Sequence, residues 1–322
     1  MEYRKMGHTG LHLSVLGLGS WISFHGQVDD RAAGDIMQLA YDKGINFFDN
    51  AEVYSKGESE KMMGRVFRQK GWERSSYVLT SKAYFGWHGD NKPTQHGLCR
   101  KHLREACDEA LLRLQTDYLD IFYCHRPDPE TPAEEIAWTM HQLVQQGKIL
   151  YWGTSEWTAA GILAVIAAAE KDHLVRPVVE QPEYNLFRRS KVEEDFLPLY
   201  DTYGLGLTTW SPLGSGMLTG KYNNGIPSGS RLALPEFQGM RDMAYSEEKL
   251  QKARDFGRVA DELGVSMALL SIAWVIRNPR VTTAILGASK KEQLEENLKA
   301  LEVAARLTPD QLKKIADVTQ LT

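Results

Sequence analysis

Four side chains of this sequence have the types and the placement needed to reduce a carbonyl group. Asp49, Lys82 and His125 each follow or end a short apolar run that predicts a β-strand, and Tyr54 lies five residues beyond Asp49. Addition of hydride to a carbonyl carbon leaves an alkoxide, which an acid must protonate. A tyrosine can serve as this acid if a nearby lysine ammonium lowers its pKa, and an aspartate would keep that lysine charged. We therefore predict Tyr54 as the proton donor, with His125 hydrogen-bonded to the carbonyl oxygen.

Each of these residues also has a simpler interpretation. Asp49 and Lys82 form an ordinary buried ion pair in one alternative, while Tyr54 packs on the rim of the fold and His125 is a hydrogen-bonded core histidine. In another alternative Lys82 is the nucleophile of a Schiff-base aldolase, but Asp49 beside it would keep the amine protonated and unreactive. Carbonyl reduction uses all four side chains at once, and we favour it for that reason.

Repeated βα units are predicted to position these residues. Short β-type runs alternate with amphipathic stretches along the chain, which is typical of a parallel sheet with crossover helices. Eight strands are predicted, at residues 13–18, 46–48, 77–81, 118–123, 149–153, 178–181, 205–209 and 283–286. The helical patterns between them include residues 31–43, 100–114, 133–146 and 159–171.

The choice of fold lies between a closed (β/α)8 barrel and an open doubly wound sheet. Leu16-Gly17-Leu18-Gly19 resembles the start of a dinucleotide-binding fingerprint, but Ile22 stands where the third glycine is required. Eight units of similar length favour the TIM barrel, which we expect to form one domain over residues 1–322. Residues 211–245 lack clear periodicity and are rich in Gly, Ser and Pro, so we expect a long loop after strand seven that acts as a lid or binding loop.

Composition and charge argue against several classes of function. The 322 residues are 43% apolar and 25% charged, which is normal for a globular protein, and the net charge of −4 argues against general nucleic-acid binding. The sequence has no run of 18 apolar residues and no secretion signal after Met1, so we expect a cytoplasmic protein without membrane insertion. Neither a CxxC nor an HExxH spacing occurs, so we expect no disulfide framework and no metal site.

Several separated motifs resemble the aldo-keto reductase superfamily. They are Phe48-Asp49-Asn50-Ala51-Glu52-Val53-Tyr54, Thr80-Ser81-Lys82 and Tyr123-Cys124-His125-Arg126-Pro127-Asp128. Within it the chain most resembles the branch of the voltage-gated potassium channel β subunits and their bacterial relatives. The motifs that carry this likeness include Gly19-Ser20-Trp21, Trp152-Gly153-Thr154-Ser155, Trp210-Ser211-Pro212-Leu213, Gly220-Lys221-Tyr222 and Leu286-Gly287-Ala288-Ser289. The resemblance implies a β-hairpin before the barrel, and Asp49, Tyr54, Lys82 and His125 as the catalytic residues.

The resemblance also implies NADPH as the cofactor, bound without a Rossmann fold. Trp21, Gln27 and Asp49 would lie near the nicotinamide, Ser155 and Gln181 would hold its carboxamide, and Tyr184 would stack on the ring. The residues implied along the pyrophosphate are Trp210, Ser211, Pro212, Leu213, Gly216, Lys221 and Arg231. Those implied around the adenosine phosphate are Gly287, Ser289, Gln293, Glu296 and Asn297.

Physical reasoning supports a phosphate site near the end of the chain. Loops after strands seven and eight are the usual phosphate site of such barrels, and a helix N-terminus attracts anions. Ser289, Lys290 and Lys291 open a predicted helix, for which a plain capping box with solvated lysines is the alternative. Positive charge there favours NADP over NAD. Gln293 stands where many aldo-keto reductases have arginine, which leaves the use of NAD open.

Three departures from the channel-related branch bear on function. Channel β subunits characteristically have asparagine at the position of His125, and they carry an N-terminal extension that can plug a channel, whereas this chain begins directly with the hairpin. We therefore favour catalysis over an NADPH-binding accessory or redox-sensing subunit of a membrane channel with little turnover. Glu156 stands where those subunits have arginine, so we expect a looser cofactor contact there.

The open mouth of the barrel is predicted to receive a small carbonyl substrate, an aldehyde or a ketone. Aromatic rings there would favour an apolar or aromatic compound, and they would otherwise form an oligomer contact, with a tetramer implied by the resemblance alone. The residues expected around the substrate are Trp21, Tyr54, Tyr84, Phe85, Trp87, His125 and Trp157. Alternatively, His88, Lys92 and Arg126 would receive a phosphate or a carboxylate.

Overall fold

Eight parallel strands close into a barrel in the computed structural model of this chain, which describes residues 1–21 and 28–320. An antiparallel hairpin of β1 (Tyr3–Lys5) and β2 (His12–Ser14) precedes them. The barrel strands are β3 (Leu16–Gly19), β4 (Phe47–Asp49), β5 (Val78–Ala83), β6 (Leu119–Cys124), β7 (Ile149–Ser155), β8 (Val179–Gln181), β9 (Gly206–Thr209) and β10 (Thr283–Leu286). They follow one another in chain order, and β10 closes the ring by pairing with both β9 and β3. The predicted (β/α)8 barrel with an N-terminal β-hairpin is confirmed.

The single strand predicted over residues 13–18 is divided in two. Ser14 pairs with Tyr3 in the hairpin, whereas Leu16 pairs with Ala284 in the barrel, so the chain changes sheets at Val15. The Ser14 hydroxyl donates to the Leu16 carbonyl at 2.7 Å, which satisfies a backbone group at this change of direction. A continuous apolar run does not reveal such a division, because both halves are buried.

Helices follow the barrel strands and cover them. They are α1 (Asp30–Asp42), α2 (Glu58–Lys70), α3 (Arg100–Leu114), α4 (Ala133–Gln145), α5 (Ala159–Lys171), α6 (Leu197–Tyr203), α7 (Gln238–Ala244), α8 (Glu247–Glu262), α9 (Met267–Arg277), α10 (Lys291–Leu298), α11 (Ala300–Arg306) and α12 (Pro309–Thr319). Within residues 1–21 and 28–320, no helix is by itself both long and apolar enough to cross a membrane; α8 and α9 meet that test only as a pair bent by 91°.

The long connection predicted after the seventh barrel strand is present between β9 and α8. It contains short helices, namely the 3₁₀ turns Gly214–Thr219, Arg231–Ala233 and Pro235–Phe237, followed by α7. Ser215 and Gly216 inside the first turn have positive φ angles of 56° and 92°. These left-handed residues interrupt the helical period, which explains why the sequence pattern predicts only a loop.

The barrel interior is packed at its amino end and polar at its carboxyl end. Apolar side chains from the strands fill the lower interior, and Met6 and Leu13 from the hairpin segment pack against them. The hairpin also closes this end through its backbone, since the Asn46 side chain, just before β4, accepts from the Ser14 N–H at 2.8 Å and donates to the His12 carbonyl at 3.0 Å. The polar side chains inside the barrel that could take part in a reaction therefore lie at the carboxyl end of the strands.

A close approach of α2 and α3 gives a test of the packing. A Cβ atom on Gly64 would lie 2.5 Å from the Arg113 carbonyl oxygen, whereas one on Gly34 in α1 would meet only Lys70 Cε at 3.9 Å. We expect Gly64→Ala to destabilise the fold by about 1–3 kcal/mol, since backbone must move. The matched change Gly34→Ala should stabilise it by up to about 1 kcal/mol through helix propensity. Urea unfolding of both variants measures this, and equal stabilities would contradict the close packing.

Candidate active site

The carboxyl ends of β4 and β5 bring Asp49, Lys82 and Tyr54 together. Lys82 Nζ donates to Asp49 Oδ2 at 2.6 Å, to the Asn50 carbonyl at 2.7 Å and to the Tyr54 hydroxyl at 3.2 Å. Tyr54 begins a 3₁₀ turn, Tyr54–Gly57, and its N–H donates to the Ala51 carbonyl at 3.0 Å, which fixes the ring above the lysine. The ammonium group thus contacts the hydroxyl oxygen that we expect to give up a proton.

Both oxygens of the Asp49 carboxylate accept hydrogen bonds in this arrangement. Its second oxygen, Oδ1, accepts from Thr80 Oγ1 at 2.8 Å and from Gln181 Nε2 at 3.1 Å. Lys82 is 0% exposed, and burial lowers its pKa while the Asp49 charge opposes that change. A buried ammonium with three acceptors is held in one orientation, so the distance from Lys82 Nζ to the Tyr54 oxygen is well defined.

His125 follows β6 and faces the same cavity. Its ring centroid lies 5.9 Å from that of Tyr54, and its Nδ1 atom is buried without a hydrogen-bond partner among the described residues. Burial lowers the pKa of His125 well below its ordinary value, and the charges of Lys82 and Arg126 lower it further. The imidazole is therefore neutral at physiological pH, which suits a hydrogen-bond donor to an oxygen atom but not a proton reservoir.

The pKa of Tyr54 shifts in the direction opposite to our expectation. Burial raises it well above its ordinary value, Asp49 raises it further, and only Arg126 opposes the rise. The prediction of a lowered pKa was wrong chiefly because burial of the ring penalises the charged phenolate, and the Asp49 carboxylate adds to that penalty. The phenol therefore stays protonated at rest and is available as a proton donor.

One cavity of about 910 Å³ extends from these residues across the mouth of the barrel. The predicted cofactor residues that line it are Trp21, Asp49, Ser155, Gln181, Trp210, Ser211, Pro212, Leu213, Gly216, Lys221, Gly287, Ser289, Gln293, Glu296 and Asn297. Gln27 lies outside the described residues, and so does the side chain of Arg231, whose backbone forms a 3₁₀ turn. Most of the residues proposed to hold the cofactor therefore line this cavity.

Some lining residues were not predicted. They are Gly19 of β3, Val53 after β4, Ser215, Thr219, Gly229 and Ser230 of the long connection, Ala268 at the start of α9, Ile285 and Leu286 of β10, and Glu292 in α10. The Gly- and Ser-rich composition of residues 211–245 indicated a binding loop, but not which of its residues would face inward. Ala268 carries no polar group, and nothing in the sequence marks it.

The structure does not bring all predicted substrate residues to the cavity. Trp21, Tyr54, Phe85 and His125 line it, whereas Tyr84, Trp87 and Trp157 do not. Trp87 lies over the Arg113 guanidinium at 4.8 Å and stacks on the buried ring of His102 at 5.9 Å, so cation–π attraction and burial hold it away from the mouth. Tyr84 and Trp157 are held by their backbone N–H groups, which donate to Glu52 and Glu180.

Tyr184 is also absent from the cavity wall. Its hydroxyl donates to Glu193 at 2.7 Å and accepts from Asn278 at 3.0 Å, and its ring packs on Trp274 with centroids 5.1 Å apart. These contacts place it in the layer between barrel and helices. The aromatic ring that does line the cavity beyond β9 is Trp210, which meets Trp21 edge to face at 5.9 Å.

Glu156 holds Trp210 in this position. Its carboxylate accepts from Trp210 Nε1 at 3.0 Å and from Lys191 Nζ at 2.8 Å, and it also accepts from the Glu183 N–H. Burial alone would raise the pKa of Glu156, but the hydrogen bond and charge of Lys191 bring it below its ordinary value. The charged carboxylate thus has a positioning role that the sequence comparison did not indicate.

Glu52 anchors the loop that carries Phe85. Its Oε1 accepts from the backbone N–H groups of Tyr84 at 2.8 Å and Gly86 at 2.7 Å, and it lies 3.2 Å from His102 Nε2. The Phe85 ring consequently lies 5.2 Å from the ring of His125. Sequence reasoning missed this role, because Glu52 and the loop are separated by more than 30 residues.

The start of α10 lacks the capping box that was the simpler interpretation of Ser289. The helix begins at Lys291, and no side chain accepts from its first N–H groups. Instead, Gln293 Oε1 accepts from both the N–H and the hydroxyl of Ser289, at 3.0 and 3.1 Å. The uncapped helix start adjoins Ser289, Glu292 and Gln293 on the cavity wall.

Metal and disulfide chemistry find no support in the described ranges, 1–21 and 28–320. They hold no group of three or more His, Cys, Asp or Glu side chains placed to bind a metal ion. The cysteines are free thiols, and burial raises the pKa of Cys107 to about 12. A thiol with such a pKa is unreactive at neutral pH.

Comparison with known proteins agrees with this geometry. A model of the Aldo/keto reductase family matches residues 15–320. A protein of Arabidopsis thaliana named "probable voltage-gated potassium channel subunit beta" is 48% identical over 321 residues, covering 99% of this chain and 97% of its own length. A protein of Oryza sativa subsp. japonica with the same name is also 48% identical, with the same coverage of both chains.

Proposed function

Because the chain belongs to the aldo/keto reductase family, and an oxidoreductase role follows from that membership, we propose that it reduces aldehydes or ketones to alcohols with NADPH. One observation carries the proposal. Lys82 Nζ contacts both Asp49 and Tyr54, at 2.6 and 3.2 Å, beside a neutral His125 at one end of a long cavity.

The residues of the cavity fit a nicotinamide dinucleotide. The Ser230 hydroxyl is buried, has no hydrogen-bond partner among the described residues, and belongs to a residue on the cavity wall. Gly216 has a φ of 92°, which glycine adopts without strain, and its Cα lies close to the Lys221 side chain on the wall, since a Cβ there would be 2.7 Å from Lys221 Cε. An ammonium, an unpaired hydroxyl and a helix start are groups that bind phosphates. The bound cofactor would supply hydride to the carbonyl carbon.

The chain's own residues would manage the proton. Tyr54 donates its hydroxyl proton to the oxygen of the substrate as the alkoxide forms, and Lys82 stabilises the phenolate that is left. His125 donates a hydrogen bond to the same oxygen and fixes its position between the two rings. Asp49 keeps Lys82 protonated, and Trp21 and Phe85 cover the site against water.

The preference for NADPH over NADH is part of the proposal. Lys290 and Lys291 at the start of α10 supply positive charge near the adenosine end, although Glu292 and Glu296 also line the cavity there. We expect a lower dissociation constant for NADPH than for NADH, measured by fluorescence titration of each. A preference for NADH would assign the two glutamates to the ribose hydroxyls instead.

The test of the function is the oxidation of NADPH, followed by its absorbance, with a panel that includes 4-nitrobenzaldehyde and methylglyoxal. Turnover with any member supports the reductase. Tight binding without turnover would favour a second candidate, an accessory subunit, since the two plant relatives are named as channel subunits. The homotetramer implied by the family resemblance is tested by light scattering.

Lys221 provides the test of the cofactor site. Lys221→Ala should raise the dissociation constant of NADPH by about tenfold or more, because it removes a charged hydrogen-bond donor to phosphate. Arg231→Ala is expected to act in the same direction. Lys171→Ala is the control, since this exposed lysine at the end of α5 is remote from the cavity wall. If Lys221→Ala binds NADPH as tightly as the control, the phosphate assignment is wrong.

A further inference from the structure

Two side chains with permanent positive charge line the cavity in the described part of the chain, Lys221 and Arg126. Lys221 lies in the long connection after β9, on the side assigned to the cofactor phosphates. Arg126 lies on the other side, directly after His125, where the substrate must enter. His88 and Lys92, the other cations expected at the mouth, are not on the cavity wall, and Lys92 lies 3.7 Å from Asp90.

Arg126 has no carboxylate partner within 4 Å among the described side chains. Its Nη1 donates to the His125 carbonyl at 2.6 Å, and its guanidinium carbon lies 5.4 Å from the centre of the Phe85 ring. A guanidinium has five N–H donors in a fixed plane, and the side chain makes this one hydrogen bond to the described residues, so most of its donors have no partner among them. Such a group is suited to receive a planar or tetrahedral anion with two hydrogen bonds.

The charge of Arg126 reaches the reacting groups. Burial lowers the pKa of His125, and Lys82 and Arg126 lower it further; burial and Asp49 raise the pKa of Tyr54, and Arg126 opposes that rise. Arg126 is therefore within electrostatic range of the carbonyl position. Arg126 could therefore hold an anionic group of the substrate while the carbonyl group of the same molecule stays beside Tyr54 and His125.

The surroundings of Arg126 are rigid. Its backbone continues from β6 through His125, whose N–H donates to the Ala83 carbonyl at 3.0 Å. Phe85, which flanks the guanidinium, stands on the loop that Glu52 anchors through two backbone N–H groups, and Asn91 Nδ2 donates to the Phe85 carbonyl at 2.6 Å. A charged group held between fixed elements loses little freedom when it binds a ligand.

We propose that the preferred substrates are carbonyl compounds that carry an anionic group, a carboxylate or a phosphate, bound by Arg126 while the carbonyl oxygen lies between Tyr54 and His125. This inference rests on the proposed reductase activity. The apolar rings of Trp21 and Phe85 would enclose the carbon skeleton between the two polar ends. Two kinds of substrate remained open from the sequence, an apolar or aromatic carbonyl compound and one with a phosphate or a carboxylate. Arg126 favours the second kind.

The experiment compares matched pairs of aldehydes in the NADPH-loaded enzyme. 4-Carboxybenzaldehyde and 4-nitrobenzaldehyde differ in charge but little in size, and glycolaldehyde phosphate and glycolaldehyde form the phosphate pair. Both members of a pair use the same Tyr54 and Lys82. A substitution that disturbs the proton donor therefore changes both kcat/KM values alike, and the ratio of the two values stays the same. We expect Arg126→Met to lower the anionic-to-neutral ratio by about 10–100-fold, and Arg126→Lys to restore part of it.

A binding measurement gives a second readout. Titration calorimetry of 4-carboxybenzyl alcohol against the NADP⁺-loaded protein should show a dissociation constant raised about tenfold or more by Arg126→Met. The pair with the larger change identifies carboxylate or phosphate as the natural group. Unchanged ratios in both pairs, with neutral aldehydes still reduced, would overturn the role of Arg126 and leave the reductase intact. Absence of turnover with every aldehyde would overturn both.

Discussion

Replacement of Tyr54 by phenylalanine is expected to lower kcat/KM for every aldehyde by about 10²–10⁴-fold, the usual contribution of a general acid. The change removes only the hydroxyl, which lies 3.2 Å from Lys82 Nζ. His125 lines the same end of the cavity, but it is a poor replacement as proton donor because its lowered pKa leaves the ring neutral. The dissociation constant of NADPH should change little, because the phenol acts on the substrate. Steady-state kinetics and fluorescence titration of the same preparation measure the two quantities.

Tyr84→Phe is the matched control for this change. Tyr84 is a partly buried tyrosine near the same end of the barrel, but it does not line the cavity. Its loss of a hydroxyl should leave kcat/KM within about twofold of the unmodified enzyme, as for a surface change. Retained turnover in Tyr54→Phe, or an equal loss in both variants, would remove Tyr54 from the role of proton donor.

Replacement of Lys82 by methionine should cause the second large effect, on both activity and stability. The change leaves the Asp49 carboxylate, which is 3% exposed, without its cation. Breaking a buried ion pair on one side typically costs about 3–5 kcal/mol, because the remaining charge is desolvated and unpaired. Turnover should fall with it, since the phenolate of Tyr54 loses its stabilising charge. Urea unfolding and NADPH oxidation measure the two losses.

The double variant Asp49→Asn with Lys82→Met separates these two effects. It removes both charges while keeping side chains of similar size, so most of the lost stability should return. Activity should not return, because the ammonium beside Tyr54 is still missing. If Lys82→Met alone unfolds at the same urea concentration as the unmodified protein, the ion pair is not buried as the geometry indicates. If the double variant is active, Lys82 has no part in catalysis.

Local pattern made much of the fold predictable. The strand over residues 283–286 and the helix over residues 100–114 have the predicted bounds, since apolar period and turn residues act over a few neighbouring positions. Asp49, Lys82 and His125 could be grouped from the sequence because parallel strands of a barrel present their carboxyl ends at one face. The motifs around them then indicated the family.

Other features depended on contacts between distant parts of the chain. Trp87 was expected at the mouth, but Arg113 and His102, both in α3, draw it into the layer behind the barrel. Glu52 and Glu156 gained positioning roles because their partners lie 27 or more residues away along the chain. No periodicity records such pairs, since each depends on which elements pack together.

The strand and helix pattern and the family motifs of the sequence were enough to predict the barrel, to propose the four side chains for the reaction and to name most residues of the cavity wall. Only the tertiary structure decided the direction of the pKa shift of Tyr54, which depends on burial and on the nearby charges of Asp49 and Arg126. It also decided that Arg126, rather than His88 or Lys92, lines the cavity. Residue type and spacing fix what a side chain can do, whereas electrostatic energy is a sum over all neighbours in space, and that sum exists only once the chain is folded.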